Sequence, residues 1–201
     1  MNTLDRRSVL AGGAGLALAP LSAAQAGVLV GDMTLGRPHA RVKVIEYASA
    51  SCSHCARFHR EVFPQFKKKY IDTGKVHLTL REVLTAPADV AAAGFLMARC
   101  RGPAAYFTTL QTIYGRHSDM FEPGGLIRVG EAAGLSRKQI ETCVSDEAGL
   151  AASNASTDRA TAAGVEATPT FFINGVKAHE GFWPFAEMAA ALDAALVKKP
   201  R

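Results

Sequence analysis

Apolar positions in the first part of the chain form dense runs, then a helical stripe, then a dense run again. The stretch RVKVIEYAS (41–49) is rich in β-branched and apolar residues and reads as a buried strand. In ARFHREVFPQFKKKY, Phe58, Val62 and Phe66 recur at helical spacing, which predicts a helix with one core-facing side. Pro64 lies within that helix and lacks an amide hydrogen, so a kink is expected there. After the turn residue Gly74, KVHLTLREV (75–83) reads as a second strand. From Pro87 to near Gly164 the chain becomes alanine-rich and helical. PADVAAAGFLMARC and PAAYFTTLQTIYGRH each begin with proline, which a first helical turn tolerates. Ser136 and Gln139 have the spacing of a capping box. Strand character returns in TFFING and VKAHEG, which flank the hairpin turn Asn174-Gly175. PFAEMAAALDAALVKK closes the chain as an amphipathic helix. An earlier hairpin around VLVGDMTLG would add an edge strand. The order is strand, helix, strand, helical block, hairpin, helix: an α/β plan interrupted by an all-helical insertion.

Composition adds limits. The 201 residues are 48% hydrophobic and 20% charged, which suits one globular unit with an inserted subdomain. The net charge is +5, but the longest basic run is Lys67-Lys68-Lys69 and no aromatics interleave with it, so nucleic acid is not an expected partner. Residues 1–26 are a different kind of text. Arg6-Arg7 is followed by an apolar run from Val9 to Leu21 and the small-residue pattern Ala24-Gln25-Ala26. This is the layout of a secretory signal peptide, cleaved after Ala26, and the arginine pair resembles a twin-arginine export signal. The organisation expected is therefore signal peptide 1–26, first α/β half 27–84, helical insertion 85–164 and second half 165–201. Four cysteines remain after such a cleavage, Cys52, Cys55, Cys100 and Cys143, and outside the cytoplasm an even count suggests disulfides.

Cys52-Ser53-His54-Cys55 stands where the first strand passes into the first helix, and three chemistries compete for it. A structural zinc site needs four ligands, and neither the wide gap between Cys100 and Cys143 nor the spacing of His59 and His77 specifies a second pair; copper(I) needs fewer thiolates. A purely structural disulfide between residues i and i+3 closes so small a ring that it removes little entropy from the unfolded chain. Thiol–disulfide exchange fits the position better. At a helix start, unpaired backbone N–H groups and the helix dipole favour an anion on Cys52. His54 would add a hydrogen bond or a charge, lowering the Cys52 pKa further. Each pKa unit below ambient pH stabilises the dithiol by about 1.4 kcal/mol, equivalent to about 30 mV in the two-electron potential. Cys55, one turn inside the helix, should be the buried resolving thiol. Glu46, on the strand leading into the motif, is either an exposed strand carboxylate or a buried proton acceptor for Cys55. Thr168-Pro169 before the later strand is either plain punctuation or an X-Pro bond held cis, which would present the Thr168 backbone to an extended peptide. His39, His59, His77, His117 and His179 show no ligand spacing and read as structural or exposed.

VIEYASASCSHC, the later ATPTFFING and the helical block between them resemble the DsbA-like thiol:disulfide oxidoreductases of bacteria across nearly all of residues 30–198. That resemblance implies a thioredoxin fold interrupted by an all-helical insertion. It implies Cys52 as nucleophile, Cys55 as the thiol that releases the mixed disulfide, Thr168-Pro169 as a cis-proline loop beside the active-site disulfide, and Glu46 as the buried acid. It departs from the best-known pattern at Ser53, where proline is usual, so the strength of the oxidant is not carried over; His54 is retained. The function implied is a periplasmic dithiol oxidase that donates the Cys52–Cys55 disulfide to reduced exported proteins. A membrane quinone-linked protein would reoxidise it, with no cofactor beyond the redox-active disulfide and no metal. An isomerase or reductase kept as the dithiol, and a copper-binding thiol module, are the alternatives. Isomerases of this lineage carry an extra N-terminal dimerisation segment, and residues 27–40 are short for one, so a monomer is expected. Cys100 and Cys143 are expected to form a structural bridge, as in relatives with two extra cysteines in this block; otherwise they are buried free thiols.

Overall fold

The computed structural model describes residues 31–198. The expected signal segment, and the first residues of the early hairpin, lie outside the described residues. Five strands form one sheet in the order β1-β3-β2-β4-β5: β1 (Met33–Leu35), β2 (Val42–Ala48), β3 (Val76–Glu82), β4 (Thr170–Ile173) and β5 (Val176–Glu180). β2 and β3 are parallel and the other pairs antiparallel. The parallel pair needs a crossover, and α1 (Ser53–Glu61), the short α2 (Phe63–Phe66) and a π-helical turn (Lys67–Ile71) supply it. The chain breaks at Val62 because Pro64, in the first turn of α2, has no N–H to continue the ladder.

Between β3 and β4 the described chain is helical: α3 (Ala88–Cys100), α4 (Pro103–Gly115), a 3-10 turn (His117–Phe121), α5 (Gly125–Ala132), α6 (Arg137–Val144) and α7 (Glu147–Ala162). Ser136 and Gln139 cap α6 reciprocally, as their spacing requires. The β4–β5 hairpin turns at Asn174 (φ 49°) and Gly175 (φ 82°), the left-handed pair that a two-residue hairpin needs. α8 (Phe185–Val197) completes the fold.

Both faces of the central strands β2 and β3 are covered, which explains why these two read as dense apolar runs. Side chains alternate across the pleat. Val42, Val44 and Ala48 face the main core with residues of α1, α3, α4 and α8, whereas Ile45 and Tyr47 face a smaller cluster around Ala160 near the end of α7. The alternation places Glu46 on the α1 side. The helical block abuts the segment before the cysteine motif: a Cβ at Gly94 of α3 would stand 2.6 Å from the Ala50 Cβ.

Cys100 and Cys143 are bridged, with Cα atoms 5.8 Å apart, tying the end of α3 to α6. Replacing both by alanine is expected to lower the unfolding free energy by up to about 4 kcal/mol while the sheet persists. Urea unfolding read by circular dichroism checks this.

Candidate active site

The site begins as a backbone problem: the first N–H groups of α1 have no helical acceptor. Cys52 is the N-cap, with extended backbone (φ −84°, ψ 121°), and its sulfur accepts the Cys55 N–H at 3.3 Å. The segment feeding the helix is clamped from several sides. Cys52 N–H bonds to Ser49 O at 3.2 Å. Thr85, in the β3–α3 loop, gives its hydroxyl to Ser49 Oγ at 2.8 Å, and Ser51 Oγ donates to Thr85 O at 3.1 Å. Tyr114 of α4 donates to Ser49 O at 3.2 Å, and His117 Nε2 lies 2.9 Å from Ser51 O. Thr168–Pro169 is a cis peptide, as is Ala86–Pro87, and the Thr168 carbonyl lies 3.1 Å from Cys52 Sγ. Cys52, Cys55, Thr168 and Pro169 thus converge from elements far apart in the chain.

The two thiols are unbridged and unequal: Cys52 is half-buried and Cys55 fully buried. The Cys52 pKa falls to about 5. The largest cause is the hydrogen bond from the Cys55 thiol; burial, next in size, opposes it, while the Thr168 side chain and the backbone N–H groups of Cys55 and His54 lower the pKa further. The Thr168 carbonyl favours the protonated sulfur, because it offers only an acceptor. Cys55 is pushed well above the ordinary thiol range, first by burial, then by donating its hydrogen to Cys52, by the Cys52 charge and by the field of Glu46; the Ser49 N–H, 3.4 Å from the sulfur, pulls the other way.

Glu46 is completely buried, and its Oε1 lies 2.8 Å from His59 Nε2. His59 is buried as well, stacked between Phe63 (4.7 Å) and Tyr114 (4.5 Å). By sequence alone His59 falls with the structural or exposed histidines. The available signal was its register, since Cys55, His59, Val62 and Phe66 share one face of the helix. The imidazole of His54 is exposed, and what His54 brings to the sulfur is its backbone N–H. Phe121, 44% exposed, packs edge-on at 5.0 Å against the His117 ring that reaches Ser51 O, and the Arg57 guanidinium lies 4.0 Å over the Phe182 ring. Among the described residues, no group of three His, Cys, Asp or Glu side chains is placed to hold a metal ion, and no helix is long and apolar enough to cross a membrane.

Alkylation of the reduced protein with iodoacetamide across pH is expected to give a Cys52 midpoint near 5. Cys55→Ala removes the strongest donor and is expected to raise that midpoint toward the ordinary thiol value. The folded Cys52 pKa is depressed, so the thiolate's contribution to the stability of the dithiol grows as pH rises above about 5 and is lost as pH falls through it.

A family model described as Thioredoxin matches residues 29–194. A Rickettsia conorii protein provisionally named as a protein-disulfide oxidoreductase is 35% identical over 171 residues, which cover 82% of this chain; the chain spans 60% of that relative's length. The crystal structure of alpha-DsbA1 from Wolbachia pipientis superposes with a TM-score of 0.76 at 27% identity, covering 84% of this chain and 92% of that one. BdbD from Bacillus subtilis, at 18% identity and a TM-score of 0.74, shares the fold, covering 87% of this chain and 97% of its own. A five-stranded sheet with helices inserted between β3 and β4, and a Cys-x-x-Cys motif at the start of α1, are thus joined to sequence similarity along most of the chain: the protein belongs to the DsbA-like branch of the thioredoxin family.

Proposed function

We propose that this chain is a thiol:disulfide oxidoreductase that works outside the cytoplasm, as the periplasmic donor of the Cys52–Cys55 disulfide to reduced exported proteins. The observation that carries the proposal is the inequality of the two thiols: Cys52 with its pKa lowered to about 5, Cys55 buried with its pKa raised. In the oxidised protein a substrate thiolate attacks the Cys52 sulfur. The Cys52–Cys55 bond breaks, a substrate–Cys52 disulfide forms, and Cys55 leaves with the electron pair and takes up a proton, for which Glu46 is the candidate donor. A second substrate thiolate then attacks the substrate sulfur. The substrate disulfide closes and Cys52 departs as a thiolate. The substrate has lost two electrons and the protein has gained them. A leaving group of low pKa departs faster, so the environment of Cys52 favours the second step as well as the reduced product.

The Thr168 carbonyl beside Cys52 is the proposed backbone contact for an extended substrate segment, next to Pro169. The exposed Phe121, held beside His117 and so near the segment that carries Cys52, would take apolar side chains of an unfolded chain without demanding a sequence. His54, exposed beside the sulfur, is proposed to act on the incoming substrate. Export rests on the signal-like residues 1–26, and reoxidation is assigned to a membrane quinone-linked partner, as the resemblance to DsbA-like oxidoreductases implies. The disulfide itself carries the electrons, with no further cofactor.

The test mixes oxidised protein with a reduced, unfolded substrate and counts the thiols lost from each. About one substrate disulfide per oxidised protein within minutes is the expected result, and Cys52→Ser should abolish it. Transfer no faster than buffer alone overturns the proposal.

A further inference from the structure

Two glutamates are buried among the described residues, and their surroundings differ. Glu82, at the end of β3, has both oxygens in use: Arg99 Nε reaches them at 2.8 and 3.0 Å, Tyr106 donates to Oε1 at 2.8 Å, and Ser153 donates to Oε2 at 2.6 Å. That carboxylate is braced as a structural group. Glu46 has one bond, to His59, while its Oε2 is buried without a partner, and His59 Nδ1 is buried without one too. Buried polar atoms are nearly always paired, and those that are not ask for a role. Here an unused acceptor and an unused ring nitrogen sit on two ends of one hydrogen-bonded acid–base pair.

We propose that His59 is a positioning residue for Cys55: it fixes Glu46 and shares a proton with it, so that the carboxylate takes the Cys55 proton when Cys55 attacks and returns it when Cys55 leaves. The proposal rests on the thiol-exchange reading above and adds a residue to it. His59 stands one turn beyond Cys55 on α1, and Glu46 faces α1 across the pleat of β2. The rings of Phe63 and Tyr114 hold the imidazole from its two sides, which keeps Nε2 on Oε1 and leaves Oε2 free.

The ionisable groups around the pair are few. Glu46 comes from β2, Cys55 from α1, and Tyr106 and Tyr114 from α4. Both tyrosines are held protonated, chiefly by burial; after it, Tyr106 feels Glu82 first and Glu46 only weakly, and Tyr114 feels Cys55 and then Glu46. Arg60, the next residue on α1, points to the Tyr114 carbonyl at 3.3 Å. A charged Glu46 opposes a thiolate at Cys55. Moving the Cys55 proton onto the pair removes that opposition at the moment the thiolate forms, and the imidazole supplies the second basic atom over which the proton is shared. When Cys52 is in a mixed disulfide with an oxidant, Cys55 yields its proton to Glu46 Oε2 and its sulfur attacks that of Cys52. The Cys52–Cys55 bond forms, and the bond to the oxidant breaks with the electron pair on the departing thiolate.

The experiment follows reduced protein reacting with oxidised glutathione, quenched in acid and weighed by mass spectrometry. It separates formation of the Cys52–glutathione adduct from its loss to the internal disulfide. His59→Leu is expected to form the adduct at the wild-type rate and to resolve it about 10-fold more slowly at pH 7, the deficit closing as pH rises. His59→Gln keeps an N–H donor for Oε1 but no second basic nitrogen, and is expected to stay slow. With Glu46→Gln already present, neither change should slow resolution further. Wild-type resolution in either His59 variant overturns the proposal, since a donor or a filler would then suffice; if His59→Leu does not fold, His59→Gln decides. A wild-type protein that forms no adduct overturns the thiol-exchange reading itself.

Discussion

A sulfur anion at position 52 must find in the protein the hydrogen bonds it gives up in water. The first turn of α1 provides them, because its N–H groups have no carbonyl of their own to bond. The sulfur of Cys52 occupies the place that a serine or aspartate oxygen takes at an ordinary N-cap. Capping the helix and stabilising the thiolate are therefore one interaction. The clamps on Ser49 and Ser51 from Thr85, Tyr114 and His117 serve it, since a shift of the loop would carry Cys52 away from the donors.

The same helix makes the second cysteine its opposite. Three residues on, Cys55 turns to the face that packs on β2, where Ala48, Phe58 and Phe171 share its core. No water reaches it, so a charge there is costly and its proton stays until something takes it. The disulfide between the two stabilises the fold little, because it closes a ring of only a few residues. The dithiol gains the hydrogen bonds to the Cys52 anion. In the proposed exchange, the balance between those effects would draw electrons toward this protein. It comes from the position of two sulfur atoms on one helix turn.

Much of this was legible in the sequence, for local reasons. The β2 and β3 runs, the stripe of Phe58, Val62 and Phe66, the cap at Ser136 and the turn at Asn174-Gly175 each carry their signal within a few residues. Cys52 and Cys55 were legible because a helix start and a spacing of three define their environments without help from distant parts. Contacts made across the fold were harder to read. That Glu46 faces the core follows only when the alternation of Val42, Val44 and Ala48 is aligned with a covered sheet. His59 carries a polar label in an apolar stripe, and its partner lies on another element. His54 drew attention for its ring, whereas its contribution to the sulfur comes through the backbone, which any residue shares. The hydroxyl chain of Ser49, Ser51 and Thr85 has no sequence signature, since it exists only once the β3–α3 loop folds beside the motif.

The central claim is that the protein holds the Cys52 anion better than water does, and its most direct test is a comparison of two unfolding curves. With Cys100 and Cys143 both replaced by alanine, so that the bond between Cys52 and Cys55 is the single difference, the oxidised and reduced proteins are unfolded in urea at pH 7. The account predicts that the reduced protein is the more stable of the two. A disulfide form as stable as the dithiol, or more so, would contradict it.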